Sequence, residues 1–268
     1  MKRKYLIIGG DKRQEFLKRI LSENSQEVFH ITDSADLYAL GNIESYSHVI
    51  LPVPLSKDKE HVYCVNSGLN LRLEDLYNKL LPDQTIYSFC ELPDKKLNYI
   101  NLIKIPEFKL ANAVLTAQGT LKLLLDNSDD YIFGKRALII GFGDVARSVA
   151  ELLCKSGLEV QITARNPKQI IVASLMGFNA VRLKPCENNL ADYDYIFGTV
   201  PFNVLSENDV KSIKEKAVYF ELASAPFSAD RELFKKHKKH YVFGGALPGR
   251  FLPEASAKLI YDFIIISQ

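Results

Sequence analysis

Residues 136–146 leave a folding chain little choice. Ala137, Leu138, Ile139 and Ile140 are an apolar run of strand length. Gly141 follows, a residue that takes the backbone angles of a tight turn. Ala146, Val149, Ala150 and Leu153 then recur at helical spacing. Gly143 has no side chain to keep a diphosphate from the backbone, and Ala146 is small enough for close packing of helix on strand. Strand, glycine turn and helix together make the G-x-G-x-x-A form of the dinucleotide-binding turn, in which the diphosphate rests on a helix N-terminus. Gly141, Phe142, Gly143, Asp144 and Val145 are therefore the predicted diphosphate contacts.

The next predicted strand, 159–164, ends in Ala164 and is followed by Arg165, Asn166 and Lys168. An acidic residue about 20 positions past the first glycine would bond the ribose 2′-hydroxyl of NAD. Arg165 stands there instead, 24 residues beyond Gly141. A guanidinium pairs bidentately with a 2′-phosphate and stacks on adenine, so the sequence predicts NADP. Two later strand ends complete the expected cofactor surface. Thr199, Val200 and Pro201 fall near the nicotinamide ribose, and Ala223 and Ser224 beside the nicotinamide.

Strand and helix patterns alternate along the whole chain, which argues for parallel sheets covered by helices. The 268 residues suit two modest domains. In the N-terminal half, 5–8, 28–31, 48–51, 85–88 and 100–105 read as strands, with helices beginning near Phe16 and over 73–81. Past Pro106 one long helix reaches Leu125, crossing between domains. Strands at 136–140, 159–163, 179–183, 194–198, 217–222 and 241–244 follow, then a glycine-rich turn over 244–249 and a last helix from Pro253 to Ile266. The expected fold is α/β, two Rossmann-like three-layer domains with a cleft between them. The last helix returns to the first domain. The boundaries are 1–128 plus 251–268 for a flavodoxin-like substrate domain and 129–250 for the NADP-binding domain.

A net charge of +2 gives no broad electrostatic case for nucleic acid or membrane. The basic run 235–240 reads as a solvated helix end. Cys64, Cys90, Cys154 and Cys186 make no C-x-x-C pair, so neither a metal nor a redox motif is expected. Their scatter and the lack of an apolar export signal predict a cytoplasmic protein. Cys154, on the helix after the glycine turn, is expected to be packed.

Candidate substrate groups cluster at predicted strand ends and helix starts. Asp11 suits a helix N-cap, and Arg13 beside it is placed to meet an anion. Ser56, Lys57 and Asp58 follow another strand. Asn112 and Thr116 share one face of the crossing helix, near Gln118 and Gly119. Arg250 and Glu254 bracket the start of the last helix. No histidine falls on a second-domain cleft loop, so a histidine general base is not expected.

Several stretches in order resemble the family of dipicolinate synthase A subunits: 7–14, 50–53, 112–120, the turn at Gly141, 163–165, 199–201, 222–226 and 245–253. The resemblance implies loss of water and then oxidation of a cyclic dihydro- or tetrahydrodipicolinate to dipicolinate by hydride transfer to NADP, alongside a flavoprotein B subunit; a homo-oligomer is also expected. It implies Arg13, Lys57 and Arg250 as cations for a dicarboxylate, with Asn112 and Glu254 nearby. Ser224, Thr116 and Lys57 are then the candidate catalytic groups. The family pattern implies Glu at Gln118, a Gly-Gly pair at Phe227 and Ser228, and a lysine where Glu254 stands. Two other readings stay open: a dehydrogenase-like subunit for another small anion, and a non-catalytic NADP-binding sensor or scaffold.

Overall fold

The structure, a computed structural model, describes residues 3–24, 26–66, 68–183 and 190–267. Cys186 lies outside the described residues. The chain divides into two compact units, Met1–Asn112 with Leu252–Gln268, and Ala113–Phe251.

The N-terminal unit runs β1 (Lys4–Ile8), α1 (Lys12–Glu23), β2 (Glu27–Ile31), a 3₁₀ segment (Ser34–Ser45), β3 (His48–Ile50), α2 (Leu73–Tyr77), β4 (Thr85–Ser88) and β5 (Tyr99–Asn101). All pairs are parallel, in the flavodoxin-like order β2-β1-β3-β4-β5. Strand alternation sends side chains to two different layers. Leu6 and Ile8 pack among Leu40, Ile43 and Leu76, while Tyr5 and Ile7 pack with Leu17 and Leu21 of α1.

Two expected elements are shorter here. The 73–81 helix stops at Tyr77, short of Pro82. The 100–105 strand is the three-residue edge strand β5, after which the chain coils into a 3₁₀ turn, Leu102–Lys104, that buries Leu102 completely.

Next, α3 (Pro106–Asp126) carries the chain out of the first unit. The sequence put the domain boundary after 128; the division instead falls inside α3, between Asn112 and Ala113. Packing explains the shift. Phe108 joins the core of β1 and α1, whereas Ala117, Leu123 and Leu124 join the core of the second unit.

That unit comprises β6 (Arg136–Ile140), α4 (Asp144–Lys155), β7 (Glu159–Ala164), α5 (Pro167–Leu175), β8 (Asn179–Arg182), β9 (Tyr195–Gly198), α6 (Glu207–Ser212), β10 (Val218–Glu221), α7 (Arg231–Lys236), β11 (His240–Phe243) and α8 (Leu247–Phe251). Its six parallel strands run β11-β10-β9-β6-β7-β8, the doubly wound Rossmann order. Ala137 and Ile139 face Ala146, Val149, Ala150 and Leu153 of α4, and Leu138 and Ile140 face Val210 and Phe234 on the other side. Cys154 lies outside that α4 stripe and is exposed, contrary to expectation. The basic run is tied down: Glu207 of α6 pairs with Lys236 at 3.0 Å and His237 at 2.8 Å.

The final helix, α9 (Pro253–Ile266), belongs to the first unit as the sequence indicated. Ala257, Ile260 and Ile264 complete the layer begun by Leu17 and Leu21. Where the sequence suggested only a glycine-rich turn, residues 247–251 form α8. Gly119 makes room for it, because a Cβ there would sit 2.8 Å from Leu247 Cβ.

Alanine in a helix interior ordinarily gains up to about 1 kcal/mol over glycine. Overpacking costs about 1–3 kcal/mol and should outweigh that gain at this position. Gly119→Ala is therefore expected to lower the urea unfolding midpoint. An equal or higher midpoint would show that the α3–α8 contact yields at no cost.

Candidate nucleotide-binding site

In the second unit the strand order reverses between β6 and β9, and ligands of open α/β sheets bind at such a point beyond the strands' carboxyl ends. Here the two strands are stitched closely. Ile140 O accepts from Thr199 Oγ1 at 2.7 Å and Thr199 N at 3.1 Å. Gly141 N donates to Thr163 O at 2.7 Å, fixing the turn to β7. Gly141 has φ +114°, and a Cβ on it would lie 2.4 Å from Thr199 Oγ1. Both its angle and its neighbour demand glycine.

Gly143 differs. Its φ is −85°, open to any residue, and nothing lies within 4 Å of where its Cβ would be. It caps α4 without a side-chain acceptor for the first helical N–H groups. A glycine-lined cradle at the uncapped end of a 12-residue helix fits an anionic diphosphate. Asp144 would oppose such a ligand, but its carboxylate is paired with Arg147. Phe142 is buried edge-on against Phe178, with ring centroids 6.3 Å apart.

Beyond β7, Arg165 is exposed, with its guanidinium 3.9 Å from the centroid of the Phe202 ring. This contact links the loop after β7 to the loop after β9. Asn166 spends its side chain on capping α5, accepting from Lys168 N at 2.9 Å. Lys168 stands exposed in the first turn of α5. Ala164 is buried at the strand end, and Thr199, Val200 and Pro201 follow β9. The residues expected at the diphosphate and adenosine thus lie at the carboxyl ends of β6 and β7, and those expected at the nicotinamide ribose at the end of β9.

The loop after β10 carries the expected Ala223 and Ser224, and the end of β10 holds a residue that sequence reading missed, Glu221. Ala223 is buried and Ser224 exposed. Beneath them Glu221 is wholly buried: Oε1 accepts from Ala223 N at 3.1 Å, and Oε2 from Ala229 N at 3.2 Å and Tyr219 Oη at 3.1 Å. Burial pushes the Glu221 carboxyl above its ordinary 4.5, against the opposing pull of the Ala223 amide. Burial, reinforced by the Glu221 charge, likewise pushes the Tyr219 hydroxyl well up. An acid within the otherwise apolar stretch 218–222 was the available signal.

The substrate candidates divide between the units. Arg13, Lys57, Asn112 and Glu254 belong to the first, and Thr116, Ser224 and Arg250 to the second. Two are held by partners within the first unit. The Arg13 guanidinium is nearly buried, holds both Asp11 oxygens (2.9 and 2.7 Å) and also donates to Val53 O, so its charge is neutralised within its own loop. Glu254 is paired with Arg19 of α1 and anchors the start of α9. Lys57 lies 3.9 Å over the Tyr63 ring. Asp58 is tied into its turn by His61 N and Glu60 N, each at 2.8 Å, and the His61 amide leads the bonds that hold its carboxyl well below the ordinary range. Thr116 O accepts from Thr120 Oγ1 at 2.9 Å, and Arg250 donates to Phe243 O at 3.2 Å while its side chain stays exposed. Among the described residues no group of three His, Cys, Asp or Glu is placed to hold a metal. No helix among them is long and apolar enough to cross a membrane.

Residues 117–241 match the NAD-binding domain of S-adenosyl-L-homocysteine hydrolase. The dipicolinate synthase A subunit of Bacillus subtilis is 22% identical over 97% of this chain and 94% of its own. The crystal structure of the dipicolinate synthase A subunit from Bacillus halodurans superposes with a TM-score of 0.86 at 21% identity, covering 98% of this chain and 97% of that one. Over its whole length this chain resembles the dipicolinate synthase A subunits. The same fold extends at lower similarity to a 2-hydroxyacid dehydrogenase from Ketogulonicigenium vulgare, with a TM-score of 0.60 and 11% identity over 100% of this chain and 96% of that one.

The two glycines of the turn should respond oppositely to alanine. Gly141→Ala is expected to lower the melting temperature by several degrees, as strain and a clash cost about 1–3 kcal/mol. Gly143→Ala is expected to leave it unchanged, and equal losses would contradict this division of roles. Glu221 supplies a pH test. A carboxyl raised in the folded state adds stability that is full below its ordinary value and is lost as pH rises through the raised one. Glu221→Gln should flatten that fall when urea midpoints are compared from acid to neutral pH; an unaltered slope would contradict the burial effect.

Proposed function

We propose that the chain is the NADP-dependent dehydrogenase subunit of a dipicolinate synthase-type enzyme: a cyclic hydroxytetrahydrodipicolinate loses water, and the resulting dihydrodipicolinate gives one hydride to NADP and one proton to solvent to become dipicolinate. The observation that carries this reading is the open N-terminus of α4 at Gly143, set in a Rossmann-ordered sheet. The whole-length similarity to the dipicolinate synthase A subunits supports the choice of substrate.

When bound, a nicotinamide dinucleotide would supply the acceptor for the substrate's hydride. The chain's own work is then binding and orientation. The amides from Phe142 to Val145 would hold the diphosphate. Arg165, held against Phe202, would present its guanidinium to a 2′-phosphate and one face to adenine. No carboxylate occupies the position that would repel that phosphate. Ser224 and Thr116 would orient the substrate ring. With Arg13 committed to Asp11, Lys57 and Arg250 are the cations left for a dicarboxylate. The reading includes a homo-oligomer, a flavoprotein partner and a cytoplasmic location, the last in keeping with the unpaired Cys64, Cys90 and Cys154.

A second reading draws on the same Arg13–Asp11 pair. A chain that neutralises this cation internally suits another small anion, or a non-catalytic NADP-binding sensor or scaffold.

Turnover decides between these readings. The purified chain, with and without a flavoprotein partner, should reduce NADP when given freshly generated hydroxytetrahydrodipicolinate. Reduction only with another small acid, or nucleotide binding with no reduction at all, would favour the second reading. Cofactor choice has its own test. Arg165→Asp should weaken NADP by roughly tenfold or more relative to NAD, as expected for loss of a charge-assisted pair. An unchanged ratio of the two dissociation constants would remove the basis for NADP.

A further inference from the structure

Glu221 plays no part in the contacts assigned above, yet it organises the loop that carries Ala223 and Ser224. Its carboxylate takes Ala223 N at the start of that loop and Ala229 N near its end. Inside the loop, Ser228 Oγ accepts from Val200 N at 3.1 Å and donates to Val200 O at 2.7 Å. The loops after β9 and β10 are thereby joined. Gly198 makes the join possible, since a Cβ there would lie 2.0 Å from Tyr219 Oη and 2.7 Å from Ser228 Cβ. The joined piece reaches the nucleotide turn directly, because Thr199 is the residue packed against Gly141.

A buried carboxylate is costly, and an apolar side chain would fill the space at less expense. What an apolar residue would not do is hold two separated amides at once. We infer that Glu221 is a positioning residue, clamping the loops after β9 and β10 into the wall that receives the nicotinamide half of the dinucleotide. The inference rests on the cofactor reading above. The clamp's one link to the adenosine half is indirect, through Phe202 of the loop after β9 beneath the Arg165 guanidinium.

This separation gives a readout that general loss of stability would not mimic. Calorimetric titration would compare NADPH with adenosine 2′,5′-bisphosphate on the full chain, for wild type, Glu221→Gln and Ser228→Ala. Glutamine keeps the shape but turns one acceptor into a donor facing a backbone N–H. Losing a bond to a charged group should weaken NADPH roughly tenfold in Glu221→Gln, with the bisphosphate weakened clearly less. Ser228→Ala should move the same ratio in the same direction. If both ligands weaken equally in the variants, or neither does, the clamp is wrong and the cofactor reading stands. If wild type binds neither ligand, both are wrong. Should Glu221→Gln fail to fold, Ser228→Ala and Tyr219→Phe decide on the same ratio.

Discussion

The contact between Gly141 and Thr199 governs the second unit. It brings the end of β6 so close to the end of β9 that no side chain fits at the turn. Two hydrogen bonds to Ile140 O hold the loop after β9 in that position. With both loops fixed, α4 starts with Gly143 as its cap, with no side-chain cap bond and open space where a Gly143 Cβ would lie. The glycine-lined, uncapped start of α4 is therefore a consequence of how the two strands meet, and the diphosphate proposed for it needs no dedicated cationic side chain.

Charged groups in this chain mostly serve the fold. Arg13 closes the loop after β1 through Asp11, Glu254 fastens α9 to Arg19, and Glu207 gathers Lys236 and His237 between α6 and α7. Arg165 is different: it is exposed, borders the nucleotide turn and stands on an aromatic ring that limits its motion. An arginine held this way loses less freedom on meeting a phosphate than a free one.

Much of this was legible in the sequence because periodicity reports burial. Ala137–Ile140 is buried on both faces and reads as an unbroken apolar run, and α9 begins at the proline that announces it. The 3₁₀ segment from Ser34 to Ser45 was not legible. It is set by Asp33 and Asp36 bonding the local backbone, with no apolar stripe to betray it. The domain boundary was misplaced because α3 is continuous in sequence while its two ends pack into different cores. Arg13 and Glu254 looked available since a sequence shows a charge without its partner, although Asp11 was only two residues away. Glu221 escaped notice because strand patterning predicts which face a residue takes, and not that two loop amides converge on it.

The central claim is that the turn at Gly141 and Gly143 holds a phosphorylated pyridine dinucleotide. Isothermal titration of the unmodified chain with NADP and with NAD tests it most directly. The account predicts one saturable site per chain and tighter binding of NADP. No heat and no saturation with either nucleotide would contradict it.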